Sequence, residues 1–286
     1  MKKILIIPTL LAVMLVSDIC AQTMQRITHA NRNQIEDFFS SRTMVVDANP
    51  LIGYNIAIRD AVSKYWTITP YEIITANQFN DLRSDPALSF IFLSKVQLER
   101  DRQDAVYLYM NIVMGANVSD ITALPELLSI PLAYTGVDED SYVEVLPLML
   151  RFAQIHINNL KEARNPRSLN NLRYYNRNSR TLRNMTLLVQ ESDLSEEVNT
   201  IEKIQAVYSG TVKIVTSEEI EQTIEEKRPN TAILHQVSPS EDDNAGRSYR
   251  QIYGAESGNL YYFNHQRITQ RRPAGMLARD FRQIGR

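Results

Sequence analysis

The chain has 286 residues, 44% hydrophobic and 22% charged, with a formal charge of −2 and one cysteine. That length and balance suit about two ordinary domains and exclude a disorder-dominated chain or a short scaffold held by disulfides. The slight acidity also argues against nucleic acid as a partner.

Lys2 and Lys3 precede the apolar run Ile4–Val16 and the short exit Ser17-Asp18-Ile19-Cys20-Ala21, which reads as a secretory signal peptide over residues 1–21. The run is too short to cross a bilayer, and no later stretch is long and apolar enough for a transmembrane segment. The expected location is therefore periplasmic or secreted. Cleavage after Ala21 removes Cys20 and with it any disulfide, thiol catalysis or cysteine-ligated metal. Cleavage before Cys20 is the competing reading, and it gives a lipid-anchored amino terminus at the outer membrane.

A first α/β domain is expected over 24–160. Ile27, Ala30, Ile35, Phe38 and Phe39 recur with helical spacing from about Gln25 to Ser40. Thr43–Asp47 reads as a buried strand, and Asn49-Pro50 turns into a helix with Ile52, Ile56 and Tyr65 on one side. Thr69-Pro70-Tyr71-Glu72 has the form of a capping box with proline at the first helical position, so a helix is expected from there to about Leu82. Strands follow at Leu88–Leu93 and Val106–Val113. Leu124–Ala133 mixes turn and strand signals, and Met149–Ile155 is apolar.

Residues 161–183, rich in Asn and Arg, read as a basic linker or boundary segment. The same order of signals returns in a second domain over 184–286. It runs through a strand at Met185–Val189, a helix through Leu194, Val198, Ile201, Ile204 and Val207, and a strand at Thr211–Val215. A capping box at Thr216–Glu219 opens a further helix, followed by strands at Thr231–His235, Ser248–Tyr253 and around Tyr261–Phe263. The closing Met276–Ile284 echoes Met149–Ile155. The fold class expected is α/β: two tandem, related layered domains with mostly parallel βαβαβ cores and added antiparallel strands or hairpins, arising by internal duplication.

Charge is uneven. Residues 161–183 hold seven basic and one acidic residue, residues 191–227 three basic and ten acidic, and residues 245–286 eight basic and two acidic. The charged blocks read first as an ordinary solvated surface, the alternatives being a basic segment that lies beside the acidic helices of the second unit or faces a partner. Arginine forks grip phosphate or carboxylate and aromatic rings stack on sugars, so the ligand- or partner-binding candidates are Tyr261, Tyr262, Phe263, His265, Arg267, Arg271, Arg272 and Arg279, with Arg282 nearby. Adjacent strand aromatics point to opposite faces, which favours core and rim roles for some of them. Asp47 is added because a strand's carboxyl end is a common ligand-bearing edge in α/β folds. Asp138-Glu139-Asp140 and Glu191 offer further carboxylates, but no spacing makes a pair converge.

His29, His156, His235 and His265 are widely separated and form no metal motif, and no nucleophile elbow, P-loop or dinucleotide fingerprint is present. No catalytic residue, metal site or cofactor is assigned. The sequence therefore points to an exported bacterial cell-envelope interaction or structural protein, able to oligomerise, whose partner is an envelope protein or a small polar or anionic ligand. The alternative is a periplasmic enzyme or small-ligand-binding protein with its site at the strand ends or between the repeats.

Overall fold

The computed structural model of the protein describes residues 22–23, 28–48, 51–98, 105–239 and 246–285. The expected signal peptide, Cys20 and the Asn49-Pro50 turn lie outside them. No helix among the described residues is long and apolar enough to cross a membrane.

The first half runs β1 (Gln22–Thr23), α1 (Arg32–Phe38), β2 (Arg42–Val46), α2 (Ile52–Tyr65), β3 (Tyr71–Ile74), α3 (Ala76–Leu82), β4 (Leu88–Gln97), β5 (Val106–Met114), β6 (Glu126–Tyr134), α4 (Asp140–Val143) and α5 (Leu146–Glu162). Its sheet has the order β3-β2-β4-β5-β6, parallel across the first three strands and antiparallel across the last two pairs. The short β1 pairs with the far end of β4.

The second half runs β7 (Thr186–Val189), α6 (Ile201–Gln205), β8 (Thr211–Ile214), α7 (Ser217–Glu225), β9 (Thr231–Val237), β10 (Arg247–Gly254), β11 (Leu260–Arg267) and α8 (Ala278–Ile284). Its sheet order, β8-β7-β9-β10-β11, repeats the first sheet strand for strand and sense for sense. The expected α/β class, with parallel cores extended by antiparallel strands, is the one observed.

Local readings were less even. Tyr71–Ile74 is not the start of a helix but a strand paired in parallel with β2. Its Tyr-Glu-Ile-Ile run favours a pleated surface, and the true capping box comes later, with Thr75 and Gln78 bonding each other's backbone N–H groups ahead of α3. The internal echo therefore aligns Thr216 with Thr75 rather than with Thr69. On α2 the buried face is Tyr54, Ile58, Ala61 and Val62, whereas Ile52 and Ile56 are 70% and 65% exposed. The helix expected through 194–207 is divided: Glu196–Val198 is a 3-10 turn, and Thr200 caps a new start at α6.

Helix α2 has no side-chain cap from its own N-cap residue. The Glu139 carboxylate supplies one from across the chain, accepting the Tyr54 N–H at 2.7 Å. Gly53 leaves the space, because a Cβ there would lie 2.9 Å from Glu139 Oε2. Replacing Glu139 with alanine is expected to cost about 1 kcal/mol in chemical denaturation, the usual worth of a helix cap. An unchanged midpoint would show that the cap contributes nothing.

The two halves share a core. Helix α5 is central, with Leu148, Met149, Phe152, Ala153 and Ile157 fully buried. One contiguous apolar cluster joins α2 and α5 to Leu188, Ile233, Tyr249 and Tyr253 of the second sheet and to Ile220 and Ile224 of α7. Smaller clusters cover the outer faces, one of them under α3 and the other under α6 and α8. The face bearing α2 and α5 in the first half thus packs on the α7-bearing face of the second, the face that corresponds to the α3 side of the first. The segment expected as a linker is itself built in. Residues 172–184 form a long 3-10 stretch whose Leu172, Tyr175, Ser179 and Leu182 are buried. It lies on β11 and α8 and not beside the acidic helices: Arg173 bonds Asn264 and the His265 carbonyl, and Arg183 bonds the Gly285 carbonyl.

Strand β6 is the edge of the first sheet, and the second sheet closes it. Gln251 Nε2 donates to the Pro131 carbonyl at 2.7 Å, and His235 Nε2 bonds the Leu132 carbonyl at 2.8 Å. Side chains of one sheet thereby satisfy edge carbonyls of the other, and proline is tolerated at this edge because no ladder N–H is needed there. Burial pulls His235 down to about 4, so it is neutral at physiological pH and its Nε2–H is the donor.

Candidate functional site

The carboxyl ends of β7 and β9 open into a cavity of about 1050 Å³, closed on the other side by the end of β6 and the α4–α5 junction of the first half. Strand ends and the space between the halves, the two places expected from sequence, coincide here. The turn after β7 is tightly built: Met276 N–H donates to the Asp193 carbonyl at 2.7 Å, and Ser195 N–H and Oγ both donate to the Met276 carbonyl, at 3.1 and 2.9 Å. Gly275 allows this approach. Its φ is +82°, and a Cβ would lie 2.8 Å from the Ser195 nitrogen and 2.9 Å from the Leu194 carbonyl carbon.

Among the described residues four carboxylates line the cavity, Glu144 from the first half and Glu191, Asp193 and Glu196 from the second, and no lysine or arginine does. Burial, reinforced by the charge of Glu144, pushes the Asp193 carboxyl up to about 8; a backbone hydrogen bond at Gln190 opposes the shift. Burial, followed by the charge of Glu221, raises Glu144 to about 7, against a hydrogen bond from Gln190 Nε2 at 3.1 Å. Two carboxyl groups thus titrate in the physiological range in a site where no described residue supplies a lysine or arginine. Such groups donate hydrogen bonds when protonated and hold a cation when ionised.

The residues singled out from sequence are dispersed. Asp47 closes a largely exposed fork with Arg59 at the end of β2. Tyr262 is buried on the α8 side and donates to Asp280 at 2.7 Å, while Phe263 points to the opposite face, into the shared core, as strand alternation requires. Tyr261 is half-buried beside Gly254. Arg267, Arg271, Arg272, Arg279 and Arg282 are exposed, with Arg271 on a two-residue turn closed by reciprocal Thr269 and Arg272 bonds. Phe263 and His265 share a cleft, lined also by Arg167, Arg173 and Arg247.

Glu144 and Asp193 were not distinguishable by spacing, because they lie on different halves and meet only through the docking of the two sheets. The one local signal was the position of Glu191 and Asp193 directly after a strand, where α/β folds carry ligands. Among the described residues no group of His, Asp or Glu is arranged to hold a metal ion. Comparison with family models, curated proteins and solved structures gives no match.

Proposed function

We propose that the protein is an exported small-ligand-binding protein of the bacterial envelope, whose site is the strand-end cavity between the halves and whose ligand is a polar molecule carrying a cationic amine. The observation that carries this reading is the convergence of Glu144 and Asp193, both raised toward neutrality, in an inter-half cavity with no lysine or arginine among its described lining residues. The volume is at the upper end of the range for small-molecule sites, about 300–1,000 Å³. A cation restores the ionised form of both acids, so binding releases protons and strengthens as pH rises through 7 to 8. An anionic ligand has the wrong sign for this site.

The matching strand order and helix placement support descent of the halves from one duplicated unit. The test is calorimetric titration with glucosamine and lysine, and with N-acetylglucosamine as the uncharged counterpart. The amines are expected to bind at least tenfold more tightly than the neutral sugar at pH 8, and more weakly at pH 5.5. Equal binding of charged and uncharged sugars, or no binding by either amine, rejects the reading.

A second reading, an envelope interaction protein, draws support from Ile52 and Ile56, one helical turn apart and the two most exposed large apolar side chains among the described residues. Ile56 lines an acidic groove containing Asp60, Asp140, Glu144, Glu218, Glu221 and Glu225.

A further inference from the structure

We propose that the ligand of the strand-end cavity is a linear aliphatic polyamine, whose first amine enters the cavity while the rest of its chain lies in the groove between α2 and α7. The proposal rests on the cation-binding reading above and names the class of cation. The groove has a volume of about 570 Å³ and is walled by α2 and the α4–α5 junction of the first half and by α7 of the second. Glu144 lines both the groove and the cavity, so the two adjoin at that side chain.

The carboxylates of the groove form a line. Glu218, Glu221 and Glu225 occupy one side of α7 and line the groove at steps of three and four residues, which are about 4.5 Å and about 6 Å of helix rise. Glu144 continues the line toward Asp193: the charges of Glu221 and Glu218 act on its carboxyl from the groove, and its own charge acts on Asp193 in the cavity. Asp60 on the α2 wall is paired with Lys64 at 2.9 Å, and the Lys64 ammonium also feels Glu225. Among the described residues no group of His, Asp or Glu is gathered so as to hold a metal ion, and a row of this kind suits several charges on one chain better than a single compact cation.

Between the charges the wall is apolar. Ile56, Ala57, Val143, Pro147 and Ile224 line the same groove, with Ile56 largely exposed in it. Among the described lining residues the only neutral polar side chain is that of Ser217. A polyamine consists of ammonium groups and methylenes alone, and these are the two partners such a wall offers, carboxylates for the first and apolar surface for the second. An extended spacer of three or four methylenes sets neighbouring amines about one step of the carboxylate line apart. A peptide of the same charge brings backbone carbonyls, for which ionised carboxylates have no donor.

Calorimetric titration of the full chain with spermidine at pH 8 tests this. Glucosamine and butylamine are the single-amine controls, and tetralysine carries its charges on a peptide backbone. Spermidine is expected to bind at least tenfold more tightly than any of the three. Glu225→Lys is an exposed change in the last turn of α7, where the helix dipole favours a cation. It is expected to weaken spermidine at least tenfold and to leave glucosamine within twofold, with the thermal midpoint measured alongside to confirm folding. Ile56→Ser, also at an exposed position, is expected to weaken spermidine at least threefold and to leave glucosamine unchanged. Asp193→Asn is expected to weaken both ligands. Glucosamine binding with spermidine no tighter overturns the polyamine and leaves the cavity reading standing, whereas failure of every amine to bind removes both. Equal binding of tetralysine, a Glu225→Lys protein that binds spermidine as the parent does, or an Asp193→Asn protein that keeps full spermidine affinity also overturns the proposal.

Discussion

Replacement of Asp280 with asparagine is expected to destabilise the protein by about 3–5 kcal/mol in chemical denaturation, the range for removing one partner of a buried ion pair. Asp280 and Arg250 are both fully buried, with Arg250 Nε 3.3 Å from Asp280 Oδ2. Asp280 also accepts from Tyr262 Oη at 2.7 Å, Asn264 Nδ2 at 2.9 Å and the Leu277 N–H at 3.1 Å, so one carboxylate joins β11 to the first turn of α8. Asparagine preserves the shape and part of this hydrogen bonding but strands the guanidinium, which burial already pulls below its ordinary value. Arg250 is poorly supplied even in the native arrangement: its Nη1 bonds Ser248 twice at 3.3 Å, and its Nη2 is buried without a hydrogen-bond partner among the described residues. Arg250→Met is therefore expected to cost clearly less than Asp280→Asn. Equal losses would show that packing, and not the unpaired charge, sets the effect.

The second large effect is on the pH dependence of stability. Asp193 rises from 3.8 to about 8 and Glu144 from 4.5 to about 7 on folding. A carboxyl whose folded pKa lies above its unfolded one keeps its proton after the unfolded chain has lost it. Its stabilising contribution is complete below about pH 4 and is lost as pH rises toward about 7 for Glu144 and about 8 for Asp193. His156 and His235 act in the other direction. Both fall from 6.5 to about 4 on burial, so they withdraw stability as pH drops below 6.5. Thermal midpoints of Asp193→Asn and the parent isolate the first contribution. The variant is expected to gain on the parent steadily from pH 4 to pH 8, with a slope no steeper than about 1.4 kcal/mol per pH unit, and to level off above. A constant difference across that range would mean that Asp193 is ionised in the folded protein throughout.

The periodic strands were legible because their apolar runs are buried on both faces: Leu88–Leu93, Val106–Val113 and Thr231–His235 all lie within observed strands. Helix starts were legible only where a single capping signal stood. Thr216 caps α7 where it was read, accepting the Glu219 N–H without the reciprocal half of the box, whereas Thr69 to Glu72 imitates the box that Thr75 and Gln78 make six residues on. Ile52 and Ile56 misled for a related reason, since helical spacing identifies a common side of α2 but not which side faces the core. The candidate site was legible as a place and not as residues. Strand ends can be counted from sequence, but the approach of Glu144 to Asp193 depends on how the two sheets dock. The arginines of the last segment looked like one cluster because they are close in sequence. In three dimensions β11, a tight turn and α8 carry them apart.

The way the halves stack carries a direction. The α2–α5 face of the first half is met by the α7 face of the second, so the contact is heterologous, and the same step applied again would lay a third unit on α6 and α8. Outward-facing positions of α8 are Arg279, Arg282 and Gln283, all exposed, in place of the apolar side chains with which α5 meets its neighbour. The last helix thus turns a polar face outward where α5 turns an apolar one inward.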